Sequence, residues 1–108
     1  MKPVDRESLQ SRMRDEGLEP VSLSSLANEH FAPHQHDYDK VLVVAEGKVT
    51  FDLPGNGVGL VLTPGERLDL PANTVHDALV GHRGVTCLEA HLPAGTLGAG
   101  AIGRGNRW

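Results

Sequence analysis

The sequence predicts an all-β protein, a small antiparallel barrel or jelly roll that carries a short N-terminal helix. Three observations lead there. From Pro20 to about Ala90 the chain is a series of short runs rich in β-branched residues, separated by turn-forming residues at short, regular intervals. Helical periodicity is confined to the residues before Gly17. The 108 residues, 39% of them apolar, are enough for one domain with one core and leave no room for a second. A domain of this size buries a modest fraction of its surface, so pairing with a second copy, a homodimer, is expected.

Residues 4–16 place Val4, Leu9 and Met13 among many charges, which reads as a short, weakly amphipathic helix stopped by Gly17. Residues 1–19 are thus expected to be a helical arm, and 20–94 the barrel. Within the barrel the expected strands are 21–26, 38–45, 48–53, 58–62, 67–70, 74–80 and 85–92. Glu46-Gly47, Pro54-Gly55-Asn56-Gly57, Pro64-Gly65-Glu66 and Gly81-His82-Arg83-Gly84 supply the residues that tight turns require between them. Val49, Phe51 and Leu53 alternate with Lys48, Thr50 and Asp52, which gives that strand one buried and one wet face. Residues 38–45 are apolar nearly throughout, a strand buried on both faces whose outer side a partner subunit or the N-terminal helix would cover. Residues 95–108 are glycine-rich and aperiodic and are expected to form a flexible tail, with Trp108 outside the core.

Composition excludes several classes of function. The net charge of −4 comes from dispersed charges, with no Lys/Arg cluster and few aromatic residues to stack on bases, so no nucleic-acid partner is expected. No stretch approaches the roughly 20 apolar residues of a membrane-spanning helix, so no membrane partner is expected either. Cys87 is the single cysteine and cannot form an internal disulfide, and the start of the chain has no apolar run that would serve as a signal peptide. The cytoplasm is the expected location.

The chemistry is carried by histidines. His34 and His36 lie one residue apart, and on an extended strand such residues share a face and can grip one ion. His76, behind Pro71-Ala72-Asn73-Thr74-Val75, would complete the site from another strand. His34-Gln35-His36 followed by Gly47, and then Gly65, Pro71 and His76, resemble the two motifs of the cupin family over about residues 31–93. Those motifs run Gly, His-x-His, Glu, Gly and then Gly, Pro-x-Gly-x-x-His, Asn. The resemblance implies a cupin barrel and a pocket centred on His34, His36 and His76. This chain departs from the pattern at Asn28 and Asn73, where the motifs have Gly, and at Val80, where the second ends in Asn. Asn accepts a left-handed backbone better than most residues, so Asn73 can replace a turn glycine at modest cost.

The fourth departure changes the chemistry, because Lys40 stands where the family has its glutamate ligand. On one reading three neutral imidazoles hold a divalent ion, and its uncompensated charge lowers the pKa of bound water and favours an anionic, chelating substrate. Imidazole ligands suit Fe, Ni, Cu or Zn. Lys40 must then turn away, lose its proton, or hold a substrate carboxylate. On the other reading the site has decayed, no metal binds, and the barrel persists as a binding or structural domain.

Other polar residues are weighed in the same way. Glu89 and His91 alternate with Cys87 on the last expected strand; they could face the pocket but are read as ordinary strand positions. Tyr38 shares the parity of His36 and either donates its phenol to a ligand or is buried with its hydroxyl satisfied. Asp77 is placed in solvent, His30 and His82 in loops or turns, and Cys87 is read as a buried, inert thiol. If the protein is an enzyme, the resemblance implies a metal-dependent oxidoreductase of the dioxygenase kind acting on a small molecule, with Lys40 or Tyr38 placing the substrate. A non-catalytic module binding a sugar or organic acid is the alternative, and a metal-independent isomerase or cyclase using His and Lys as acid and base is a third.

Overall fold

Two long antiparallel strands organise the protein in its computed structural model, which describes residues 5–53 and 59–98 together with the backbone of 103–107. The order is α1 (Arg6–Asp15), β1 (Val21–Ser25), β2 (His30–His34), β3 (Asp39–Asp52), β4 (Gly59–Leu62), β5 (Glu66–Leu70), β6 (His76–Leu92) and β7 (Gly103–Arg107). Strands β3 and β6 pair along almost their whole length. The second part of β6 also pairs with β1 and the first part of β3 with β5, while the other ends of β6 and β3 pair with β2 and β4. The result is one sheet bent into two halves around a shared interior, an antiparallel barrel with a short helix at its start.

The bend is written in glycines. The β3–β6 register shifts between Val44 and Glu46 and again between Gly47 and Val49, where residues 81–84 of β6 bulge opposite Lys48. Gly47 and Gly84 have φ of +80° and +79°, and a Cβ at Gly47 would overlap the carbonyl of Gly84. The shift also exchanges the inward parity: Leu42 and Val44 point into the core before it, Val49 and Phe51 after it. The turns expected at Glu46-Gly47 and at 81–84 are therefore bulges inside continuous strands, and His82 lies within β6.

Two further expectations are corrected. His30 opens β2 rather than lying in a loop, and Asp77 is half-buried with an oxygen 3.7 Å from its Nε2. Within the glycine-rich end, Gly103–Arg107 forms β7 against β5. Val4, the turn at 54–57, the first residue of the strand expected at 58–62, and Trp108 lie outside the described residues.

The helix does what the apolar strand required. Asp5 caps it by accepting the Ser8 amide at 2.7 Å. Its buried Leu9 and Met13 pack with Leu18 on Val41, Val43, Ala45, Leu88 and Ala90, the outer face of β3 and β6. Glu16 fastens its end to Arg67 of β5 at 2.9 Å.

Candidate metal centre

His34 and His76 are register partners at the open ends of β2 and β6, and their ring centroids lie 4.4 Å apart. His36 follows β2 and comes within 4.9 Å of His34 and 5.3 Å of His76, ring to ring. The turn before His76 is tied back to this loop: the Asn73 amide donates to the His36 carbonyl at 2.7 Å. Asn73 holds φ at +63° and Asn28 at +62°, so both asparagines take the left-handed backbone for which the related motifs use glycine.

The three rings are prepared as ligands. A carbonyl only accepts, so His34 Nδ1 against the Ala32 carbonyl at 2.7 Å and His76 Nδ1 against the Thr74 carbonyl at 2.8 Å must each carry the proton. That leaves a lone pair on each Nε2. His36 Nε2 is buried and makes no hydrogen bond among the described residues, a cost that a bound cation would remove. Burial first, and then the charges of Lys40, His76 and His34, lower the His36 pKa to about 4. Burial also lowers that of His76, against the hydrogen bond to Thr74. Both rings are neutral at pH 7, the state in which imidazole binds metal. One donor atom from each histidine lies within 4.8 Å of the other two. Donors sharing an ion at bonds near 2.1 Å stand at most about 4.2 Å apart, so small ring rotations close the set.

The histidines open on a cavity of about 420 Å³ in the barrel interior, whose wall is apolar at Leu42, Phe51, Val80 and Val85. Lys40 reaches it from β3 and Glu89 from β6, so Glu89 is not the ordinary strand position that its sequence context suggested. Lys40 Nζ lies 3.4 Å from Glu89 Oε1, with the two side chains 12% and 15% exposed. The same oxygen is 3.8 Å from His91 Nε2. Tyr38 is not among the side chains lining the cavity; its ring stacks between His36, at 4.9 Å, and His91, at 4.1 Å. Cys87 is buried with its thiol pKa pushed up to about 12 by burial, which leaves it an inert part of the wall.

Asp39 is a positioning residue that sequence reasoning missed. Its buried carboxylate accepts the backbone amides of Ala72 at 2.8 Å, Gly95 at 3.3 Å and Leu97 at 2.8 Å, bracing the turn before His76 against the turn after β6. Those bonds, from Leu97 and Ala72 foremost, outweigh burial and hold its pKa below the usual carboxylate value.

No family model matches the sequence, and no curated protein does. Solved structures share the fold. The DMSP lyase DddQ from Ruegeria pomeroyi superposes with a TM-score of 0.62 at 20% identity over 69% of this chain and 38% of its own. A cupin-2 domain containing protein from Shewanella frigidimarina gives 0.54 at 20% identity over 63% of each chain. KdgF from Halomonas sp. gives 0.58 at 22% identity over 74% of each. The chain therefore spans less than two thirds of the length of the first two.

Proposed function

On the premise of a cupin fold, which these superpositions establish, we propose that the protein binds a divalent transition metal through His34, His36 and His76 and uses it on a small anionic substrate. The observation that carries the reading is the unpartnered, buried Nε2 of His36 between two histidines whose Nδ1 atoms are bonded to backbone carbonyls. Three imidazoles converge there on one cavity. The metal is Fe, Ni, Cu or Zn, which imidazole donors suit. When bound it supplies a Lewis acid and a point of chelation for substrate oxygens.

The chain's own groups do the rest. Lys40 offers an ammonium on the cavity wall to a carboxylate of the substrate, and the apolar wall around Leu42, Phe51 and Val85 excludes water from the bound molecule. Tyr38 stacks on His36 and limits the rotation of that ring, a role that needs no contact with substrate. The reaction that the sequence resemblance points to is an oxygen-dependent oxidation of the dioxygenase kind. A second reading, non-oxidative cleavage, is favoured by the names of structures sharing the fold, among them DMSP lyases and an oxalate decarboxylase.

The test is elemental analysis of purified wild-type protein and of the His36→Ala variant for Fe, Ni, Cu, Zn and Mn. Near-stoichiometric metal in the wild type and its loss in a folded variant is the expected outcome; equal metal in both would remove His36 from the site. Oxygen consumption by the loaded protein with small carboxylic acids then separates oxidation from cleavage.

A further inference from the structure

Lys40 poses an electrostatic problem for any cation at the three histidines. Its ammonium shares their cavity, and its charge is felt at both His36 and His76, where it works with burial against the charged imidazole. The Lys40 side chain is only 12% exposed, and like charges withdrawn from solvent repel more strongly than in water, so a bare lysine there would weaken the site. The structure contains an answer on the neighbouring strand. Leu42 is opposite Glu89 and Lys40 opposite His91, so Glu89 reaches Lys40 along the diagonal of the β3–β6 ladder and meets its ammonium at 3.4 Å. Both side chains are largely withdrawn from solvent, where such a pair is little screened. Glu89 is outside the group of donors that converge within 4.8 Å, so it stands beside the histidines and is not one of the set.

We propose that Glu89 is the built-in counter-charge of Lys40, and that this pair takes the place of a carboxylate ligand: by neutralising Lys40, Glu89 permits a divalent cation to bind at His34, His36 and His76. The inference rests on the metal-binding reading above and adds a residue and a reason to it. Glu89 is a positioning residue: it meets Lys40, and its charge works against that of Lys40 at His36. Because the lysine is held and neutralised, it remains available to an anionic substrate, whose carboxylate replaces Glu89 as its partner once the ion is in place.

The experiment is a double-mutant cycle read as Co²⁺ affinity, by calorimetry on chelator-treated protein, with thermal melting as the check on folding. Glu89→Gln should weaken Co²⁺ binding roughly 10- to 100-fold, the usual cost of losing a group that supports a metal site from outside its ligands. Lys40→Met should bind more tightly than wild type, because Glu89 then faces the ion uncompensated, and Lys40→Met/Glu89→Gln, with neither charge, should bind about as tightly as wild type. An unchanged affinity for Glu89→Gln overturns the proposal. So does a double variant as weak as Glu89→Gln, because the loss would then not depend on the charge of Lys40. If Glu89→Gln does not fold, the double variant still decides, since an affinity well below wild type with neither charge present would show that balancing Lys40 is not what Glu89 does. Wild-type protein that takes up no Co²⁺ overturns the metal-binding reading as well, whereas uptake with a double variant well below wild-type affinity overturns this inference alone.

Discussion

His36 is neutral at the pH of a cell because its surroundings refuse its charge, and the same refusal makes the fold sensitive to acid. Its folded pKa, lowered to about 4, lies below the value of 6.5 that the unfolded chain would show. Between those values the unfolded chain holds a proton that the native protein does not, so the stability contributed is fully present above pH 6.5 and is lost as the pH falls toward 4. The urea midpoint of chelator-treated protein should decline over that window and decline less in His36→Gln; parallel profiles for the two would remove His36 from the acid response. Residues of this kind were legible in the sequence. The His-x-His spacing and the histidine behind Pro71 announced the cluster, and Asn73 takes the left-handed backbone expected of it, as Asn28 also does. Glu89 was not legible as the partner of Lys40. Alternation alone gave it two faces to choose from, and the choice is made by the β3–β6 register, which no local pattern contains.

At the level of elements, the same glycine chemistry serves two purposes and only tertiary context distinguishes them. A residue with positive φ suits a hairpin turn and also a bulge, so Glu46-Gly47 and 81–84 suggested four strands where two continuous ones exist. By contrast, Gly65 with φ +89° is a turn as expected, closed by Thr63 donating its amide and hydroxyl to Glu66 at 2.8 and 2.7 Å. β2 is not among the expected strand ranges, although His34 is expected to be extended; its Pro33 sits where the register with β6 shifts and no ladder donor is required. A comparison of two glycines measures what the bulge demands. Gly17 has φ +82° with open space around it, so Gly17→Ala should cost about 1 kcal/mol from backbone strain alone. Gly47→Ala meets the Gly84 backbone as well and should cost more than about 2 kcal/mol in urea denaturation. Equal costs would mean that the close crossing of β3 and β6 is not needed for stability.

For the molecule as a whole, the apolar character of residues 41–45 on both faces predicted a cover, and α1 provides it. Met13 is fully buried against the outer face, on the side of β3 opposite the cavity wall formed by Leu42. Truncating it leaves a cavity in that second core, so Met13→Ala should lower stability by about 3 kcal/mol while leaving Co²⁺ affinity unchanged. A parallel loss of affinity would show that the two cores are mechanically coupled. The glycine-rich end was harder to read, because β7 acquires its conformation from β5 and its composition carries no strand signal.

Among the described residues β1 and β2 each pair with β6 alone, whereas β3 and β6 are paired on both sides, and Leu23 and Phe31 carry the cavity wall onto those two edge strands. The barrel wall is therefore paired on both sides along β3 and on one side along β1 and β2. Traffic of small molecules would be controlled by the fraying of two edge strands, at a free energy well below that of unfolding. Amide hydrogens of β1 and β2 should accordingly exchange faster than those of β3, and should slow when the cavity is filled.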